Sequence, residues 1–153
     1  MGHSGPLPQR APSAHRRPDA EAWHPYPLSL RLFAWLRHAP FLLDGGDGGD
    51  DAFRHAFAGA LAAQTAHLRR TLERDVGGNH LLKNLKALLA AALCLPGQAH
   101  HHDVALGMLR RETARQILSD GFHYERSPDY HLQVWADLHD IALLLKAAGR
   151  RAD

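Results

Sequence analysis

With one cysteine, Cys94, in 153 residues, the chain cannot form an internal disulfide. The place of Cys94 in an apolar helical run reads as a small core side chain. No stretch approaches the ~20 consecutive apolar residues that a membrane span requires, and the first residues lack the charged-then-apolar layout of a secretory leader. Charge of either sign is nearly cancelled: 18 Lys and Arg face 16 Asp and Glu, for a net +2. That balance is too small to argue for a nucleic-acid surface, and the 13 histidines add positive charge only in mild acid. Aromatic residues are sparse, and no window alternates apolar and polar residues as a half-buried strand would.

What remains is an ordinary globular composition, 45% hydrophobic and 22% charged, long enough to bury one core. Residues 1–22 are rich in Pro, Gly, Ser, Arg and His and read as a disordered tail; residues 150–153 are a short tail. Order is expected from Trp23, through a proline-flanked aromatic (WHPYP), into a helix capped near Ser29 and ended by Pro40. Asp44 to Asp50 (DGGDGGD) reads as a flexible linker and lacks the spacing and closing Glu of a calcium hand.

Four further helices follow from 3.6-residue periodicity. The first runs from about Asp51 to Asp75 and stops at Gly77 and Gly78. The next, His80 to Leu95, is apolar on most sides, as suits a helix packed between neighbours. Helices at about Asp103 to Leu118 and Asp129 to Ala148 complete an all-α chain of antiparallel helical hairpins joined by short loops. The histidine run His100 to His102 is expected to be a solvated loop, since three adjacent imidazoles cannot all ligate one ion from a regular backbone. No metal or other cofactor is implied.

Two loops that open onto helices carry the chemistry. Asn79 follows two glycines and precedes a strongly helical run, so it reads as an N-cap. The same position puts Asn79 and His80 at a helix N-terminus, where free N–H groups and partial positive charge favour an anion. Asp120 to His131 (DGFHYERSPDYH) gathers His123, Tyr124, Glu125, Arg126, Tyr130 and His131. Asp129 reads as the cap of the last helix, Tyr130 as either loop packing or a proton donor, and Glu125 with Arg126 as a loop ion pair worth little if exposed.

In order and spacing, four blocks resemble the heparinase II/III family of bacterial polysaccharide lyases. They are Trp23 to Arg31 (WHPYPLSLR), Gln64 to Glu73, Gly78 to Leu88 (GNHLLKNLKAL) and Tyr124 to His131 (YERSPDYH). The resemblance covers about Trp23 to Gly149. It implies that residues 23–149 form part of an incomplete α/α toroid, which in the family precedes a large β-sandwich. It also implies β-elimination on an anionic, uronic-acid-containing polysaccharide, heparin-like or alginate-like. By the resemblance, Asn79 contacts the uronate carboxylate with His80 beside it, and Tyr130 handles the proton. Tyr124 competes for that role, and His123, Tyr124, Glu125, Arg126 and His131 line the substrate site.

The departures from the family pattern set further expectations. The β-sandwich that would supply a partner histidine is absent from the sequence, Ala34 stands where a polar residue is usual, and the 44–50 linker is unusually glycine-rich. The expectation is a piece of a lyase, inactive alone, whose partners are an anionic polysaccharide and a β-sandwich half. Apolar faces left without neighbours would favour self-association. Family members that degrade extracellular polymers imply a periplasmic or secreted setting. The alternative is a non-catalytic helical module that binds anionic glycan or a partner subunit.

Overall fold

The structure, a computed structural model, describes residues 21–44 and 51–149. All of the expected 44–50 linker except Asp44, and the terminal tail of 150–153, lie outside the described residues. So does most of the N-terminal tail, although a 3-10 turn, Glu21–Trp23, begins two residues before Trp23. Five α-helices follow: α1 Pro25–Leu43, α2 Asp51–Arg70, α3 Gly78–Cys94, α4 His102–Gln116 and α5 Pro128–Ala147. A second 3-10 turn, Ala99–His101, leads into α4. Among the described residues there is no strand, only one isolated antiparallel bridge between Ile117 and His123. The all-α expectation holds.

The Leu/Ala-rich sequence of α3 favours helix strongly and buries nearly every side, with Leu82, Leu85, Ala87, Leu89 and Ala91 fully enclosed. At roughly 1.5–3 kcal/mol for each fully buried leucine, this helix is the chief source of core stabilisation. It touches all four other helices, while α1 and α2 also pack on each other. Leu28 and Leu32 of α1, Leu68 of α2, Leu109 of α4 and Val134 and Leu145 of α5 close around it.

Several element ends differ from the sequence reading. Pro25 occupies the first helical position of α1, where its missing N–H costs nothing. Ser29 therefore lies a turn inside the helix, fully buried, with its hydroxyl donating to the Pro25 carbonyl at 2.7 Å. Pro40 is inside α1 rather than at its end, so only the last turn loses a backbone hydrogen bond. Helix α2 stops at Arg70, five residues early. The chain from Thr71 to Gly77 then turns with Gly77 N–H donating to the Glu73 carbonyl at 2.9 Å.

Two caps and two exposures are also corrected. Gly77, with φ +66°, caps α3 and moves Asn79 into the first turn. Ser127, not Asp129, caps α5, its hydroxyl accepting from the Tyr130 N–H. Cys94 is exposed, because α3 emerges from its neighbours at its last residue. The histidine run is not a solvated loop. It forms the 3-10 turn and the start of α4, with His102 buried and its Nδ1 2.8 Å from the Asp103 carboxylate.

Candidate functional site

The N-terminus of α3 is where the two sequence loops meet. Gly77 and Gly78 both take positive φ, +66° and +54°, a backbone that L side chains adopt only with strain. At Gly78 space is also short: a Cβ there would lie 3.3 Å from the Tyr124 hydroxyl and 3.5 Å from Glu125 Oε1. The glycine therefore lets the 120s loop close directly onto the first turn of α3.

A polar relay holds that loop in place. Gln116, the buried last residue of α4, donates its amide to the Gly78 carbonyl at 2.9 Å. That bond fixes the amide orientation and turns Oε1 toward His123 Nε2, 3.2 Å away. His123 Nε2 must then carry the proton, which leaves Nδ1 unprotonated, buried and without a partner among the described residues. Burial pushes the His123 imidazole below its ordinary pKa, opposed by the Glu125 charge and reinforced by His131. His123 N–H donates to His131 Nδ1 at 3.3 Å, and the His131 ring stacks on Phe122 with centroids 4.3 Å apart.

Tyr124 completes this side. Burial raises its hydroxyl pKa first, and the hydrogen bond and charge of Glu125 raise it further, with Arg115 opposing. The phenol is thereby kept as a proton donor. Tyr124 and Gly78 line a polar cleft of about 350 Å³ together with Arg74, Arg115 and Gln116. Asp75 and Glu112 line it too, with Arg115 paired to Glu112 at 3.2 Å, so the helix N-terminus and Arg74 are the groups that suit an anion there.

On the other side of the α3 terminus, Glu73 is the organising group. Its buried carboxylate lies 3.0 Å from His80 Nδ1 and 3.8 Å from His24 Nδ1. The amide of Asn84 donates to Glu73 Oε2 at 3.1 Å and to the Ser29 hydroxyl at 3.0 Å. The Tyr26 ring packs against the His80 ring at 4.4 Å. His80 is thus held by α1 and the α2–α3 turn, with its imidazole oriented by a carboxylate as in many general-base arrangements.

The sequence-predicted residues divide accordingly. His123, Tyr124, Glu125 and His131 gather with Gly78, and His80 flanks the same helix end from the opposite side. Asn79 lies between the two groups and is buried; its amide has no hydrogen-bond partner among the described residues. Tyr130 is in the first turn of α5, 39% exposed, and its hydroxyl likewise meets no partner among the described residues. Arg126 does not pair with Glu125 as expected. It turns to the Asp120 carboxylate, because Arg126 takes φ +55° and the chain reverses there. Among the described residues no three His, Cys, Asp or Glu side chains converge to hold a metal ion.

Sequence reasoning missed Glu73, Asn84, Ser29 and Gln116. Their signal was a polar residue in phase with the buried face of an apolar helix, visible for Asn84 within GNHLLKNLKAL. It also missed a buried ionic cluster at mid-helix. There Lys83 Nζ meets Asp137 at 2.7 Å, and Lys86 Nζ meets Asp137 at 2.8 Å and Asp140 at 2.7 Å. These ties fix α5, and with it the loop that carries Tyr124, to α3.

The chain matches the family model described as the heparinase II/III N-terminus over residues 6–153. It is also similar to a heparin-sulfate lyase of Bacteroides thetaiotaomicron, 32% identical over 76 residues. That match covers 48% of this chain and 11% of the relative, so the chain spans a small part of that protein's length. No solved structure matches it. Among the described residues no helix is long and apolar enough to cross a membrane.

Proposed function

Since the chain belongs to the heparinase II/III family through that family's N-terminal domain, we propose that it is the helical part of a polysaccharide lyase acting on a uronic-acid polymer. The reaction is β-elimination. The C5 proton leaves, its electron pair forms the C4–C5 double bond, and the C4–O4 bond breaks with O4 taking up a proton. Because the C5 proton is weakly acidic, the carboxylate beside it must be neutralised as negative charge spreads onto it. Asn79, with the α3 N-terminus behind it, supplies amide and backbone donors for that carboxylate, and His80, braced by Glu73, adds an imidazole. Tyr130, as its phenolate, takes the C5 proton, and the phenol so formed gives a proton to O4.

The observation that carries this reading is the polar cleft at the start of α3, where Arg74 and a helix N-terminus face one space beside Asp75 and the Arg115–Glu112 pair. The helix N-terminus and Arg74 suit a single uronate carboxylate of the polymer. A toroid setting, a β-sandwich half that supplies a further histidine, and a periplasmic or secreted location all come with the family and belong to the same proposal.

A second assignment of the proton donor is favoured by a specific contact. The Tyr124 hydroxyl lies at Gly78, next to Asn79, and its raised pKa keeps it protonated. Tyr124 then delivers the proton to O4, and Tyr130 stacks or positions the sugar.

The test supplies the chain with the β-sandwich half of a relative and follows ultraviolet absorbance of unsaturated product from heparan, heparin and alginate. Asn79→Ala is expected to lower turnover by about 10²–10³-fold. Loss of the true donor, by Tyr130→Phe or Tyr124→Phe, is expected to cost about 10²–10⁴-fold. Turnover unchanged in Asn79→Ala, or in both tyrosine variants, would sink the site assignment.

A further inference from the structure

The side-chain charges that line the Tyr124 cleft cancel, with Arg74 and Arg115 set against Asp75 and Glu112. Arg74 and Asp75 are exposed neighbours on the turn before α3. Glu112 is more enclosed. Its side chain is 15% exposed, against 77% for Arg115, whose Nη1 donates to Glu112 Oε1 at 3.2 Å.

Glu112 is also tied to the start of α3. Its Oε2 lies 3.5 Å from Gln116 Nε2, the same amide nitrogen that donates to the Gly78 carbonyl at 2.9 Å. One amide therefore stands between the Glu112 carboxylate and the first residue of α3. With the side-chain charges balanced, the positive field left for a ligand is that of the helix terminus, roughly half an elementary charge. That field, with Arg74 at hand, matches one uronate carboxylate and not a dense series of sulfates. A sulfate can recruit Arg115 only by drawing it off Glu112. The largely enclosed carboxylate is then left uncompensated beside added negative charge.

Resting on the lyase reading above, we propose that Glu112 is a specificity-determining residue: by holding Arg115, it turns the cleft against sulfated uronic-acid chains and toward unsulfated ones. The substrate is then a polymer whose only anionic groups are its uronate carboxylates. Glu112 touches none of the reacting atoms. It acts through Arg115 and through its own charge, so its effect is read in the choice between chains.

The test titrates the full chain with two tetrasaccharides of alternating glucuronate and N-acetylglucosamine, one unsulfated and one O-sulfated on each glucosamine, and follows amide chemical shifts. The unsulfated chain is expected to bind saturably, with shifts centred on residues 74–79 and 112–116, and about tenfold more tightly than the sulfated one. The gap should narrow between about 0.05 M and about 0.5 M salt, as screening weakens the repulsion. Glu112→Gln should raise the affinity of the sulfated chain by about tenfold and that of the unsulfated chain by less. Adding Arg115→Gln should abolish that gain. A merely structural role for Glu112 would lower both affinities together, and that result overturns the proposal. Binding at the cleft with no preference, or with the sulfated chain preferred, overturns it too while the carboxylate site stands. Shifts centred elsewhere, or no saturable binding of either chain, sink the lyase site along with it. The comparison of the two chains uses the unaltered protein and decides even if a variant fails to fold.

Discussion

Glu73 and Asn84 clasp each other twice. The Glu73 backbone N–H donates to Asn84 Oδ1 at 3.0 Å, and Asn84 Nδ2 donates to Glu73 Oε2 at 3.1 Å. One amide thus satisfies both ends of a buried residue and ties the α2–α3 turn to the second turn of α3. Asn84→Ala leaves the N–H and the carboxylate short of partners at about 1–3 kcal/mol for each buried group. The expected loss is roughly 2 kcal/mol or more in urea unfolding, with His80 freed from its bracing. A loss within a few tenths of a kcal/mol would show that the clasp is not formed in solution.

Asp137 answers two buried ammonium groups, so removing it strands Lys83 and leaves Lys86 with Asp140 alone. Asp137→Ala is expected to cost about 3–5 kcal/mol. The triple change Lys83→Met, Lys86→Met, Asp137→Leu should recover most of that loss, because apolar groups of similar volume need no compensation. Equilibrium denaturation of the two variants side by side measures the difference.

Gly78→Ala meets two penalties at once. The positive φ costs about 1–2 kcal/mol for an L residue, and the added methyl presses on the Tyr124 hydroxyl. The variant should unfold at a lower temperature, and the Tyr124 ring resonances should shift. Gly59, with open space around its Cβ position and a place within α2, is the control: Gly59→Ala should stabilise by about 0.5–1 kcal/mol.

The depressed pKa of His123 sets the sign of a pH effect. Below the ordinary imidazole value of about 6.5 the unfolded chain takes up a proton that the folded chain resists. Stability is therefore lost as pH falls through that value toward the lower folded-state pKa. Replacing His123 by Asn removes this contribution, so the fall in unfolding free energy between about pH 7.5 and 5.5 should be shallower than in the unaltered chain. An unchanged slope would mean that folding does not lower the His123 pKa.

Leu132, Trp135 and Leu143 are 64%, 60% and 52% exposed and recur on one side of α5 at helical spacing. Such a stripe favours association. Sedimentation velocity should show concentration-dependent self-association that Trp135→Lys with Leu143→Lys reduces.

The helices were legible because their apolar periodicity is strong, and the block order in the chain was specific enough to point to the family. Boundaries failed where a proline or glycine did something other than stop a helix. Pro25 starts α1, Pro40 sits inside it, and Gly77 serves as the α3 cap in place of Asn79. Site residues of unusual type in loops, such as Tyr124 and His123, stood out in the sequence. Glu73, Gln116 and Lys86 did not, because their roles depend on partners 11 to 54 residues away that no local pattern reveals. The Arg126 pairing was misread for the same reason, since a single left-handed residue redirects it.

The central position of α3 also fixes the order in which the molecule can open. Helices α4 and α5 rest chiefly on α3, so either can detach without releasing it, whereas α3 is freed only after its neighbours have gone. Amide hydrogens from Leu82 to Ala91 should accordingly be the last to exchange with solvent, at the free energy of global unfolding. The catalytic end proposed for this chain is built on the part of the molecule that yields last, and the loop that closes over it belongs to the parts that yield first.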